Sequence, residues 1–240
     1  LTPGESLEHQ GLEGSQPDVP RGFSRNPHAT GERLRRPRGR PRGFDREWAL
    51  DRALEIFWAR GYAGASIADL TAAMQINPPS LYAAFGDKRQ LYLAALDRYQ
   101  QRGLAALDAL LAAAPDTRSA IAGALRQMVC EMTRTDRPSG CMVVLSGLHC
   151  GSEAADLEPL VAARRAEIEA RLLQRIRRGV AAGDVAATVD PVTLAGFYAT
   201  LLHGLSVQAR SGVAQARLLA IVETALSVWP EDGLSGSRDR

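Results

Sequence analysis

With 240 residues and a formal net charge of only +2, the chain is long enough for one helical domain plus a small module and is not a polycation. Its residues are 45% hydrophobic but only 5% aromatic, with alanine and leucine dominating, which favours an all-helical protein. Three cysteines (Cys130, Cys141 and Cys150) make no disulfide framework and no basic-then-apolar secretory pattern opens the chain, so a reducing, cytoplasmic setting is expected.

Residues 1–34 lack sustained periodicity, are rich in Gly, Pro, Ser and Glu, and are expected to be a disordered tail. Five acidic residues against three arginines give that tail a net charge of −2. The next segment reverses the sign. Residues 35–46 hold six arginines and one aspartate, a net +5. Within it, the strip RRPRGRPRGF (35–44) reads as extended backbone, because proline bars helix and glycine removes bulk. Its arginine forks suit phosphate and groove geometry. Taken alone, the strip is either a solvated charge run or a grip on an acidic partner such as nucleic acid.

REWALDRALEIFWAR is the first strong helix, with Asp45 as N-cap, a stripe of Leu50, Ala53, Leu54 and Phe57, and Gly61 as its left-handed stop. Ser66 then caps the short helix IADLTAAM, with Asp69 in the capping-box position. After Gln75-Ile76-Asn77 comes PPSLYAAF, where Asn77 is the N-cap and Pro78 and Pro79 stand where a helix has no N–H bonds to lose. Asp87 caps the longer helix KRQLYLAALDRYQQRGLAALDALLAA. Further helices are predicted at about 117–134, 140–150, 157–182, 191–211 and 214–229, punctuated by Pro115, Pro138, Gly183, Pro191 and Gly212. The apolar run 192–209 nears the length of a membrane span, but His203, Gln208 and two glycines favour a doubly buried helix.

Three short helices and a long one, with a tight break between the second and third, describe a helix-turn-helix module. The run ALEIFWARGYAGASIADLTAAMQINPPSLYAAFGDKRQLYLAAL resembles the DNA-binding domain of the tetracycline-repressor (TetR/AcrR) family over roughly residues 43–95. Its carriers are the aromatic-Gly-Tyr end of the first helix, the capped SIADL helix, and SLYAAF-GDK-LY around the recognition helix. The resemblance implies an all-α fold: a three-helix DNA-binding domain (45–92) joined by a long helix to a helical-bundle ligand-binding and dimerisation domain (93–230), followed by a second disordered tail (231–240). Double-stranded DNA, a small-molecule effector and a second copy of the chain are the implied partners. No membrane and no cofactor are expected.

Residue by residue, Tyr82 and Lys88 match family positions that touch phosphate, with core packing the other role open to Tyr82. Ser66 matches a capping residue whose neighbourhood meets the DNA backbone. Lys88, the one lysine in the chain, also stands at a helix start, where a cation opposes the macrodipole. Leu81 and Phe85 are expected in the core. The exposed positions Asn77, Pro78, Pro79, Ser80, Ala83 and Ala84 offer little hydrogen-bonding readout, since only Asn77 could pair with a purine edge, and then by giving up its cap. Arg36, Arg38, Arg40 and Arg42 are therefore expected to add affinity and readout, the Pro-Arg-Gly-Arg-Pro core resembling an AT-hook in a narrow minor groove. The family often has glycine where Gln75 stands, and a left-handed glutamine there costs roughly 1 kcal/mol.

Phe197, Leu201, His203, Leu205, Leu218 and Val222 are candidates for a dimer interface, because a helix apolar all round needs cover on two sides. His203 is read as a satisfied core or interface histidine. Met142, Leu145, His149 and Cys150 are effector-pocket candidates, within a segment that also invites a metal or thiol-sensor reading. Cys141 and Cys150, nine apart on a straight helix, point to opposite sides and favour buried cysteines without a metal. Arg134, Arg137 and Arg164 are read as solvated, with contact to an anionic effector the other role open to them. With no phosphate loop, no nucleophile elbow and no paired catalytic carboxylates, no catalytic residue is assigned and no enzyme is expected. A ligand-responsive transcriptional regulator, most often a repressor, is the function implied. A metal- or thiol-responsive regulator of the same fold, or an architectural A·T-rich DNA binder, is the alternative.

Overall fold

The structure is a computed structural model that describes residues 43–146 and 157–230. The two expected tails, the arginines at 36, 38, 40 and 42, and His149 and Cys150 lie outside the described residues. Within them, every regular element is a helix.

Helix α1 (Arg46–Gly64) starts where Asp45 accepts from the Glu47 and Trp48 amides at 2.9 and 3.2 Å. Its regular run breaks at Gly61 (φ 72°, ψ 178°), a conformation costly for any residue with a Cβ. The buried face is wider than the predicted stripe and adds Ala49 and Trp58. Helix α2 (Ile67–Met74) opens on a complete capping box: the Ser66 Oγ accepts from the Asp69 amide at 3.0 Å, and Asp69 accepts from the Ser66 amide at 3.2 Å. It ends at Gln75, whose φ of 54° and ψ of 41° are left-handed as the sequence required. Ile76 N–H closes that turn on the Thr71 carbonyl at 3.1 Å.

Helix α3 (Pro78–Phe85) begins with Asn77 Oδ1 accepting from the Ser80 amide at 2.8 Å, so neither proline breaks anything. Gly86 (φ 78°) turns the chain into α4 (Lys88–Ala113), which Asp87 caps through the Gln90 amide at 2.7 Å. Leu70, Met74, Leu81, Leu91 and Tyr92 are fully buried between these four helices. Each large apolar side chain withdrawn from water in this way contributes on the order of 2 kcal/mol. The Phe57 and Tyr62 rings meet the Tyr92 ring edge-on at 5.0 and 5.1 Å.

An ionic clasp joins α1 to α4. Arg98 grips Asp51 through Nε and Nη2 at 2.5 and 2.9 Å, and Arg102 adds a contact at 3.0 Å. Burial alone would raise the Asp51 carboxyl, but the two guanidinium groups hold it below the usual aspartate range.

The remaining helices are α5 (Thr117–Met132), α6 (Met142–Ser146), α7 (Glu158–Ala182), α8 (Pro191–Arg210) and α9 (Gln215–Ser227). Helix α7 runs along α8, and α5 packs on α4, α8 and α9. The helix predicted at 140–150 starts late. Gly140 (φ 78°) presses its backbone so closely on α8 that an added Cβ would stand 2.8 Å from the Ser206 carbonyl oxygen, and the Cys141 amide donates to Ser206 Oγ at 2.8 Å. Arg175 is the buried cation of the bundle, donating to the Leu111 carbonyl at 3.1 Å and to Thr117 Oγ1 at 2.5 Å. No helix among the described residues is long and apolar enough to cross a membrane.

Candidate nucleic-acid interface

Helix α3 divides cleanly. Leu81 and Phe85 turn inward, at 0% and 6% exposure. Asn77, Pro78, Pro79, Tyr82 and Ala83 face solvent. Tyr82 is half exposed, at 50%, which settles its two open roles against the core. Ser80 and Ala84, expected on the exposed side, are half-buried, Ala84 because it packs against the apolar core. Asn77 Oδ1 holds the cap, so bidentate pairing to a purine would break the helix start.

Around this strip the cations are arranged on aromatic faces. Lys88 Nζ stands 4.6 Å from the Tyr62 ring centroid, and the Arg46 guanidinium 4.6 Å from that of Phe85. Ser66 is exposed, but its hydroxyl is spent twice on Asp69, donating to Oδ2 at 2.6 Å and accepting from the amide. That commitment, reinforced by Arg60 on Asp69 at 2.8 Å, leaves Ser66 as a cap. The Asp69 carboxyl is held below its usual range by the Ser66 hydroxyl and amide first, then by Arg60.

A cavity of about 410 Å³ is walled by α1, α4, α5, α7 and the segment 137–143. Leu54 and Trp58 enter its wall from α1, Leu104 and Leu107 from α4, Met128 from α5 and Ile168 from α7. Of the predicted pocket residues, Met142 and Leu145 are not in the lining. Met142 is packed into the core and Leu145 turns toward Gly140, while Cys141 and Val143, one register either side, face the space. Arg137 and Arg164, read from the sequence as solvated, are wall residues. Arg137 is paired with Glu131 and lies 5.5 Å over the Trp58 ring, and Arg164 is paired with Asp97. Arg134 does remain outside, held by Asp136 at 2.5 Å. Tyr99 completes the wall, its phenol pushed up by burial and by the Cys141 side chain beside it. Among the described residues no group of three or more His, Cys, Asp and Glu side chains could hold a metal ion.

The dimer candidates separate into two sets. Leu205, Leu218 and Val222 are buried, at 2%, 0% and 0% exposure, inside the chain's own bundle and have no surface to offer a second copy. Phe197 is 44% exposed, and Leu201 and His203 are half-buried. Val192, Val207 and Gly204 are exposed on α8, and Ile221 and Val228 beside them from α9 onward. His203 is not satisfied: its Nε2 is buried without a hydrogen-bond partner among the described residues. Burial and the nearby Arg165 lower its pKa, against the pull of Glu169.

A capped helix-turn-helix whose second helix projects a bare strip, joined to a helical bundle with a cavity in its wall, defines a DNA-binding transcriptional regulator. Comparison with known proteins gives the lineage. Residues 49–95 match the model of "Bacterial regulatory proteins, tetR family". The HTH-type transcriptional repressor ComR of Escherichia coli K12 is 34% identical over 199 residues, covering 82% of this chain and 95% of that repressor. A cysteine-substituted form of the TetR family transcriptional regulator CifR, solved with 26-bp double-strand operator DNA, is 48% identical, with a TM-score of 0.78 over 80% of this chain and 100% of that one. A TetR transcriptional regulator from Rhodococcus sp. RHA1 is 39% identical, with a TM-score of 0.53 over 78% and 100% of the two chains. The chain belongs to the tetR family of transcriptional regulators.

Proposed function

We propose that the chain is a repressor that binds a palindromic operator as a homodimer and leaves it when a small molecule enters the cavity. The observation that carries this is the division of α3, whose core residues fix it on α2 and α4 while Asn77, Pro78, Pro79, Tyr82 and Ala83 stand clear for a major groove. Tyr82 and Lys88 are assigned to phosphate contacts and the strip 35–44 to the adjacent minor groove. Two supports come from relatives: ComR is named a repressor, and CifR was solved on operator DNA.

The second copy is assigned to the exposed apolar side of α8 and α9, where Phe197 is 44% and Val228 66% open. Leu201 and His203 stay in that interface, and Ile221 and Val207 replace the three interior residues. A two-fold pair of heads reads two half-sites one helical turn, about 34–36 Å, apart. Selection from a pool of random duplexes tests this directly. The expected product is a short palindrome, bound by a dimer with a steep salt dependence. Deleting residues 35–42 weakens that binding and flattens its salt slope. Recovery of no sequence preference would refute the repressor assignment.

A further inference from the structure

Arg210 is a cation spent on the main chain. It stands half-buried in the last turn of α8, and its Nη2 donates to the Trp58 carbonyl of α1 at 2.5 Å. Trp58 lies three residues before the break at Gly61, so its carbonyl belongs to the closing turn of the regular helix, the negative end that a cation complements. Among the described residues no carboxylate pairs with Arg210, and burial lowers its pKa. A guanidinium that gives up water without gaining an ion pair has this bond as its compensation, and a charged donor makes one of the stronger bonds open to a carbonyl.

The bond completes a two-point mount. Arg98 and Arg102 clasp α1 to α4 at Asp51, seven residues before Trp58 and so about 10 Å along the helix. A rod held at one point swings about it, and a second hold fixes its direction. The second hold comes from the bundle, where Ser206, one turn before Arg210, is itself anchored by accepting from the Cys141 amide at 2.8 Å. Helix α6 also packs on α1, but apolar surfaces slide, whereas a hydrogen bond is lost within about 1 Å of displacement. The exposed side of α8 carries Phe197, Gly204 and Val207, the face assigned to the second copy. One helix therefore links that face to the end of α1.

We propose that Arg210 is a positioning residue for operator recognition: it fixes the angle of the DNA-binding head against α8 and so sets the half-site spacing that the dimer accepts. This rests on the dimeric reading above, with α8 in the interface. Moving a half-site by one base pair displaces it by about 3.4 Å and turns it by about 35° around the duplex. A head that follows must give up the Arg210 bond, which is worth about tenfold to a hundredfold in equilibrium.

The palindrome that the wild type selects from random duplexes is remade with one base pair added or removed between its half-sites, and a duplex carrying a single half-site is the reference. The wild type is expected to lose about tenfold or more in affinity at each altered spacing. Arg210→Met keeps the stem of the side chain and is expected to lose about threefold or less. Its affinity for the single half-site is expected to stay within about twofold of the wild type's, because the head itself is unchanged. Arg210→Lys keeps a charged donor and is expected to recover most of the discrimination. Size-exclusion chromatography and thermal unfolding show whether each variant is a folded dimer, and if Arg210→Met is not, Arg210→Gln carries the same test with the same outcomes. Undiminished discrimination in the variant overturns the proposal. So does an equal loss on half-site and palindrome, the mark of a merely structural residue. A wild type that selects no palindrome sinks the dimeric-repressor reading and the proposal with it, whereas a selected palindrome with unchanged discrimination in the variant sinks the proposal alone.

Discussion

Replacing Tyr82 by phenylalanine removes one hydroxyl from the exposed side of α3 and disturbs nothing in the core, since half of that side chain is already in solvent. A phenol donating to phosphate is a charge-assisted hydrogen bond with a net worth of about 1–1.5 kcal/mol. A dimer makes the contact twice, so the loss is about 2–3 kcal/mol, roughly 30- to 150-fold in operator Kd. No cation is removed, and the dependence of log K on log salt is expected to keep its slope. Lys88→Met is the complementary change. It removes one phosphate charge per subunit and is expected to flatten the slope by about 0.9 for each, or about 1.8 for the dimer. It also forfeits the ammonium contact with the Tyr62 face, so thermal unfolding is measured beside DNA binding. Fluorescence anisotropy of labelled operator from about 50 to 200 mM salt separates the two effects. If Tyr82→Phe binds as tightly as the wild type throughout, this face of α3 does not lie on the phosphate backbone and the assigned docking is wrong.

Ser66→Ala deletes both hydroxyl bonds to Asp69 and is expected to cost about 1 kcal/mol, with a fall in Tm of about 2–4 °C and an unchanged salt slope on DNA. A changed slope would return Ser66 to the contact surface. Asp51→Asn loosens the clasp of α1 on α4 and is expected to destabilise the chain by about 1–2 kcal/mol at neutral pH, read by urea denaturation. Because the folded-state pKa of Asp51 is lowered, its contribution is full above the unfolded value of about 3.9 and fades as pH drops through the folded one. The gap between wild type and variant should therefore be constant from neutral pH down to about pH 5 and close only in stronger acid. At Gln75, glycine relieves left-handed strain but adds unfolded-state entropy, so Gln75→Gly is expected to be neutral to within about 0.5 kcal/mol. Gln75→Val is expected to cost about 1–2 kcal/mol, and equal stability of the two variants would refute the strain at that turn.

The first four helices were legible because their punctuation is local. Asp45, Ser66, Asn77 and Asp87 each cap through an amide two or three residues on, a distance that sequence displays directly. The cavity was not legible, because its wall is gathered from five separate stretches and no periodicity records which side chains leave a gap. Trp58 offered one clue: it follows Leu54 by four residues and widens the α1 stripe beyond what the helix-turn-helix core uses. Arg137 and Arg164 carry charges that sequence assigns to solvent, and only their pairing with Glu131 and Asp97 lets them stand at an apolar wall. Three of the six dimer candidates, Leu205, Leu218 and Val222, lie in the interior for a related reason. An apolar helix declares that it is covered twice, but not which residues meet which cover, so Leu205 passed for a surface residue while Val207, which is exposed, was overlooked.

Helix α4 has 26 residues, which makes it a rod about 39 Å long. Asp51 fastens its middle to α1 through Arg98 and Arg102, and its second half borders the cavity through Leu104 and Leu107. A rod held at its middle is a lever: a tilt of about 5° about the clasp moves each end through roughly 2 Å. A displacement at the wall would be carried at about equal size to the Lys88 end, so the girth of whatever sat against Leu104 and Leu107, more than its affinity, would set how far the head turns.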